Sequence, residues 1–377
     1  MINRANNLQF KQWMFRGKVL ILIGSRQVGK TTLISEISKG FAQEDVLFVN
    51  CDESDVRAVL ENSSSTVLKS FIGSKKIFII DEAQRVKGIG LTLKLIADTL
   101  KEVQVIATGS SAFDLRNELE EPLTGRKIVI ELFPISTQEM VNHTSYIEEK
   151  RMLEQRMIYG MYPEIINNPT DAKKLLKELS DSYLFKDILS YKDIRQPDAL
   201  RKLLTALSLQ VGSEVSYNEL GNLIGLDKET VERYIDLLEK SFVVFRLTSL
   251  SRNGRNELKK SRKIYFYDNG VRNAVINNFN PLSLRSDVGD LWENFMISER
   301  KKTLHYNQIF ANTYFWRTHT QLEIDYIEER EGKLFTYEFK WSDKKKAKIP
   351  KLFSELYPEN EFELINAKNY MENFVLV

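Results

Sequence analysis

Gly24-Ser25-Arg26-Gln27-Val28-Gly29-Lys30-Thr31 sets two glycines, a lysine and a threonine in the pattern GxxxxGK[ST]. Glycines at that spacing let the backbone wrap an anion, so that amide N–H groups and the positive end of the following helix converge on phosphate oxygens. The Lys30 ammonium would reach the β- and γ-phosphates of ATP, and the Thr31 hydroxyl would hold Mg²⁺. Gly24, Ser25, Arg26, Gln27, Val28, Gly29 and Thr32 complete the stretch expected to surround the nucleotide. Further on, Ile77-Phe78-Ile79-Ile80-Asp81-Glu82 is an apolar run closed by two carboxylates. Asp81, at the carboxyl end of such a strand, would orient magnesium and its waters, and Glu82 would polarise the attacking water as general base.

Two more groups fit phosphoryl transfer. Val103 to Ser111 reads as a strand with a polar tip, where Ser110 (or Thr108) would hydrogen-bond the γ-phosphate or the lytic water. A cation at the developing charge is expected from Arg126, in Leu123-Thr124-Gly125-Arg126, or from Arg116; a surface ion pair is the other reading of each.

A second set of charged residues lies near the carboxyl end. Glu293 falls in the helical stretch Leu291–Arg300, Asp325 in the strand-like run Leu322-Glu323-Ile324-Asp325-Tyr326-Ile327, and Glu338-Phe339-Lys340 in the next. Strand alternation puts Glu338 and Lys340 on one face. The order Glu…Asp…ExK resembles the PD-(D/E)xK nuclease core. That resemblance implies that Asp325 and Glu338 hold magnesium, that Lys340 positions or activates a water, and that Glu293 supplements the metal shell. Solvated strand charges are the plain alternative, and members of that fold exist that cut nothing.

The elements that must hold these residues follow from the pattern. Short β-rich runs at Val19–Ile23, Val46–Val49, Ile77–Ile80, Val103–Thr108 and Ile128–Leu132 alternate with helix-length segments, which predicts an α/β fold with a parallel sheet covered on both faces. Residues 137–190 turn helical and charged, as a lid or connector would. Ala199–Val211, then the capping sequence Ser216-Tyr217-Asn218-Glu219 and a third helix from Asp227 to Lys240, precede strands at Val243–Leu247 and Ile264–Tyr267. Three helices and a two-stranded wing are winged-helix order. The expected division is therefore an ATPase domain over 1–140, a helical lid over 141–196, a winged helix over 197–268 and a restriction-endonuclease-like α/β module over 269–377.

The third helix of that winged unit carries Asp227, Glu229, Glu232, Asp236 and Glu239 against Lys228, Arg233 and Lys240, a surface that would repel a phosphate backbone. The wing, 251–263, is the reverse: Arg252, Arg255, Lys259, Lys260, Arg262 and Lys263 against Glu257. DNA or RNA, if bound, is expected there. With 54 basic and 52 acidic residues the net charge is +2, so the whole molecule projects no field that announces a nucleic acid.

Cys51, the one cysteine of the chain, excludes an internal disulfide framework and reads as a small buried side chain. His143, His305 and His319 show no ligand spacing. The first residues show no targeting pattern and no apolar run approaches about 18 residues, so a soluble cytoplasmic protein without a membrane span is expected.

Residues 1–140 resemble the AAA-type P-loop ATPases of archaea and bacteria that open with GxRQxGKTTL and continue with a strand ending in DEAQ. Gly24 to Leu33 and Asp81-Glu82-Ala83-Gln84 reproduce both signatures; Gly109-Ser110-Ser111, Leu123-Thr124-Gly125-Arg126 and Leu132-Phe133-Pro134-Ile135-Ser136 match further blocks. Gly160-Met161-Tyr162-Pro163-Glu164 and Tyr265-Phe266-Tyr267-Asp268-Asn269-Gly270 resemble the carboxyl-terminal domain usually fused to that ATPase. The resemblance implies magnesium-dependent ATP hydrolysis, a homo-oligomer, and either nucleic-acid processing or a nucleotide-gated switch that engages a protein partner.

Overall fold

The computed structural model of the chain describes residues 2–109, 122–184, 196–251 and 261–376. They form two compact units, one of Met1–Phe133 with Lys240–Phe242, the other of Pro134–Glu239 with Val243–Val377. The segments expected as lid, winged helix and carboxyl-terminal module fall together in the second unit.

The first unit is a parallel sheet of β1 (Val19–Ile23), β2 (Val46–Asn50), β3 (Ile77–Asp81), β4 (Gln104–Gly109) and β5 (Lys127–Glu131), in the order β2-β3-β4-β1-β5. β1, β3 and β4 are buried at every residue. This is why they read as unbroken apolar runs: helices cover both faces of a parallel sheet. Alternation sends Leu20, Leu22, Ile77, Ile79, Ile106 and Ile130 to one face, where Leu33 and Ile34 of the helix Lys30–Ser38 and Phe10 of the helix Asn6–Trp13 pack on them. Each such side chain contributes about 1.5–3 kcal/mol by leaving water.

In the second unit a six-stranded sheet has the order β11-β10-β9-β8-β6-β7, with β6 Val244–Ser249, β7 Arg262–Phe266, β8 Asn312–Arg317, β9 Glu323–Arg330, β10 Lys333–Phe339 and β11 Asn360–Ile365. The three expected helices are present as Pro197–Leu209, Tyr217–Ile224 and Lys228–Lys240. The two strands after them are no free-standing wing. β6 pairs in parallel with β8 through Thr248 and Ser249, so the hairpin is the edge of the carboxyl-terminal sheet. From Val288 onward the order is helix, three antiparallel strands, helix Lys351–Leu356, and a strand parallel to β10.

The helix Val288–Tyr306 is locked to this sheet by buried contacts. Arg300 grips Glu328 on β9 through two hydrogen bonds of 2.6 and 3.0 Å, and Asn294 exchanges hydrogen bonds with both backbone groups of Phe266 at the outer strand β7. An otherwise unpaired strand edge is thereby capped.

The motifs of the second unit meet at a buried carboxylate. Asp268 accepts from the amides of Met161, at 2.7 Å, and Val271, at 3.1 Å. Burial pushes its carboxyl above the usual range, against the pull of those amides. Gly160 sits at φ 72°, ψ −164°, a region open essentially to glycine alone. A Cβ there would meet Asp268 Oδ1 at 2.0 Å. Gly160→Ala should therefore cost about 3 kcal/mol or more, read as a fall in the urea midpoint. Gly289→Ala, where a Cβ meets open space, should leave that midpoint unchanged or raised.

Candidate functional site

In the first unit the phosphate-loop residues sit where β1 ends and the helix Lys30–Ser38 begins. Gly29 lies at φ 99° and Gln27 at φ 58°, both left-handed, so the loop doubles back over the helix start. Gly24 passes so close to the chain that a Cβ would lie 2.3 Å from the Leu132 carbonyl oxygen. Lys30 Nζ reaches back across the loop to donate to the carbonyls of Gly24, at 3.0 Å, and Ser25, at 2.9 Å. The ammonium is thus held at the mouth of the loop, where incoming phosphate oxygens would replace the two carbonyls.

β4, lying between β1 and β3, brings a third strand end to the loop. Asp81, 4% exposed at the end of β3, accepts from Thr31 Oγ1 at 3.1 Å through one oxygen and from Thr108 Oγ1 through the other. A threonine hydroxyl and an aspartate carboxylate in contact are the oxygen donors that Mg²⁺ takes beside nucleotide phosphates, so Thr31 and Asp81 fit the ion expected with ATP. Thr108 Oγ1 also accepts the Glu82 amide at 3.3 Å. Glu82 turns at φ 53°, and Gln84 Nε2 donates to its Oε2 at 2.5 Å. Gln84, part of the DEAQ signature but given no role by it, thereby orients the expected base. Arg4 was not legible as a site residue: its guanidinium donates to the carbonyl of Val28 at 2.9 Å and to that of Phe133 at 2.5 Å, pinning the loop from behind.

Ser110 and Arg116 lie outside the described residues. Arg126 is at the opposite edge of the sheet from its own phosphate loop, since its carbonyl accepts the amide of Val19 at the amino end of β1. Its Nε donates to Asp98 at 2.7 Å, with both side chains 41% exposed. Arg126 therefore does not lie at the phosphate loop of its own chain. Cys51 is buried beside Asp81, as expected of a small core residue; burial first, and the Asp81 charge second, push its thiol up to about 12.

The second unit brings Glu293, Asp325, Glu338 and Lys340 together, but not as a bare carboxylate cluster. Lys340 Nζ donates to Glu338 Oε1 at 2.6 Å and lies 3.9 Å from Asp325 Oδ2. Asp325 Oδ2 accepts the Phe339 amide at 2.8 Å, beyond the last register pair of the β9–β10 ladder. Burial pushes the Asp325 carboxyl well above its ordinary range; Glu293 and Glu338 add to this, and Lys340 and Lys263 pull it back. Glu293 Oε1 is taken by Tyr265 Oη, at 2.6 Å, and by Lys263 Nζ, at 3.1 Å. The metal set implied by the nuclease resemblance does not fit: among the described residues no group of three or more His, Cys, Asp or Glu side chains is arranged to hold a metal ion. Lysine ammoniums stand against these carboxylates instead.

The basic wing also reads differently. Residues 252–260 lie outside the description, and the two bases that follow are engaged within the unit. Arg262 lies 3.4 Å from Glu232 and 4.4 Å from the centre of the Tyr217 ring, and Lys263 is buried. The acids of the helix Lys228–Lys240 are likewise drawn inward. Arg246 on β6 pairs with Asp236 and Glu239, so that helix presents fewer free acids than its sequence implied. Among the described residues no helix is long and apolar enough to cross a membrane.

Three family models match successive parts of the chain. Residues 16–141 match the AAA domain family. Residues 150–282 match a domain of unknown function, DUF8612, and residues 288–375 another, DUF4143. An uncharacterized protein of Haemophilus influenzae is 26% identical over 299 residues, spanning 73% of this chain and 74% of its own length. An uncharacterized protein of Methanocaldococcus jannaschii is 21% identical over 372 residues, 93% of this chain and 81% of its own. Among solved structures, a Walker-type ATPase of Pyrococcus abyssi overlays with a TM-score of 0.49 at 15% identity, covering 73% of this chain and 96% of that one. The amino-terminal unit is thus similar to the AAA domain over residues 16–141.

Proposed function

We propose that the amino-terminal unit binds ATP together with magnesium and hydrolyses it. The observation that carries this reading is the meeting of three strand ends at one point: the Lys30 ammonium across the phosphate loop, the Thr31–Asp81 contact of 3.1 Å, and Thr108 beside both Asp81 and Glu82. Loop amides and Lys30 would hold the triphosphate. Thr31 and Asp81 would carry the magnesium ion, which neutralises phosphate charge when bound. Glu82, steadied by Gln84, would take the proton of the attacking water. From the sequence, Ser110 is assigned the contact to the γ-phosphate, and Arg126 the role of a cation offered to a neighbouring copy in a homo-oligomer.

For the second unit, a nucleotide-gated switch that engages a protein partner is favoured over a machine that processes nucleic acid. Its support is the internal use of Arg262 and Lys263, the two bases of the expected wing that fall among the described residues. The test is ATP turnover by the full chain with magnesium, alone and with single-stranded DNA, duplex DNA or RNA. Turnover is expected to require magnesium and to change by less than about twofold with any nucleic acid. Stimulation of about tenfold or more by one of them would restore the nucleic-acid reading, and absence of turnover under every condition would remove the ATPase.

A further inference from the structure

The Val28–Gly29 peptide turns the phosphate loop into its helix, and its direction is not fixed by its own two residues. Gly29 sits at φ 99° and opens the helix Lys30–Ser38. A residue without a Cβ takes positive and negative φ about equally well, so the peptide ahead of it is free to rotate half a turn. The two orientations differ in chemistry. The peptide is planar and trans, so its C=O and N–H point in opposite directions. One orientation presents the Gly29 N–H to an incoming phosphate; the other presents the Val28 carbonyl, whose partial negative charge repels it.

Arg4 selects between them. It is 8% exposed, and its Nη1 donates to the Val28 oxygen at 2.9 Å while its Nη2 donates to the Phe133 oxygen at 2.5 Å. Phe133 belongs to the segment against which the loop begins: the Leu132 amide donates to the Ile23 oxygen at 2.8 Å, and the Leu132 carbonyl lies against Gly24. One planar guanidinium therefore ties the far end of the loop to the strand extension that supports its near end. A lysine, with a single ammonium on its stem, does not offer that rigid fork to two carbonyls. We propose, on the ATP reading of this loop, that Arg4 is a positioning residue for the nucleotide: by holding the Val28 carbonyl behind the loop, it commits the Gly29 amide to the phosphate side.

The test is equilibrium binding of ATP and of inorganic tripolyphosphate, each with magnesium, to the full chain, with kcat and KM for ATP turnover alongside. Tripolyphosphate has no base or sugar, so it reports on the loop alone. Arg4→Met, which keeps the stem and removes both donors, should weaken ATP and tripolyphosphate by the same factor, about tenfold or more, the range of one hydrogen bond to a charged group. KM should rise with the Kd while kcat stays within about twofold, because Thr31, Asp81 and Glu82 keep their places. Partial unfolding would act the other way, lowering the active fraction and so kcat at unchanged KM. Arg4→Lys should fall between wild type and Arg4→Met. The proposal is overturned if folded Arg4→Met binds both ligands like wild type, if it weakens ATP but not tripolyphosphate, or if kcat falls at unchanged KM. Should Arg4→Met fail to fold, Arg4→Lys decides alone: a matched loss for the two ligands supports the proposal, and wild-type affinity for both ends it. Failure of the ATP reading shows separately, in a wild-type protein that binds neither ligand, and the proposal then falls with it.

Discussion

Lys30→Ala is expected to lower the affinity for ATP by about 100-fold or more, since a hydrogen bond to a charged group is worth about 1.5–3 kcal/mol and this ammonium is placed to make two. The geometry supports the count: Nζ already donates to two carbonyl oxygens, Gly24 and Ser25, at 3.0 and 2.9 Å. Those carbonyls belong to the phosphate loop itself, so the truncation removes a contact made at the expected anion site. The apo protein should melt close to wild type. The measurement is the rise in melting temperature on adding magnesium and ATP: a ligand at 100 times its Kd stabilises by about 2.7 kcal/mol, and the variant should lose nearly all of that rise at the same concentration. A wild-type rise in Lys30→Ala would mean that the phosphate is held elsewhere.

Glu82→Gln should leave ATP binding within about threefold of wild type and reduce turnover by about 10²- to 10⁴-fold, the range supplied by a positioned general base. The substitution is close to isosteric. A glutamine side-chain oxygen can still accept the hydrogen bond that Gln84 Nε2 now donates at 2.5 Å, and the Glu82 amide keeps its bond to Thr108 Oγ1. Orientation survives and basicity does not. Single-turnover hydrolysis of prebound ATP separates the two, because binding is then complete in both proteins. Unchanged single-turnover rates would take Glu82 out of the role of base.

The amino-terminal site was legible because its chemistry is written locally. Gly24 to Thr31 is one contiguous loop whose geometry depends on its own glycines, and Asp81-Glu82 closes a strand whose four apolar residues announce burial on both faces. What stayed hidden there depends on strand order. No spacing reveals that β4 inserts between β1 and β3 and so delivers Thr108 to Asp81, and nothing in the first five residues marks Arg4 as a brace for Val28.

The second unit was less legible for the same reason in stronger form. Glu293, Asp325, Glu338 and Lys340 do assemble, since helix and strand alternation fixes their faces. Lys263, however, belonged by sequence to a basic hairpin, and only the parallel pairing of β6 with β8 reveals that it points into another element's carboxylates. Likewise the acidic look of the helix Lys228–Lys240 came from counting charges whose partner, Arg246, arrives from the next strand. Pairing across elements, not composition, decided both.

The join between β6 and β8 also fixes how this chain can be taken apart. A fragment ending after Tyr267 would keep β6 and β7 while stripping away β8, leaving the Thr248 and Ser249 backbone without its neighbour and Phe266 without the side chain of Asn294. A fragment beginning there would expose β8 along the same line. Raw strand edges of that kind seek partners in other molecules, so both halves would tend to clump. The helices ahead of β6 must therefore travel with the final strands as a single piece of cargo.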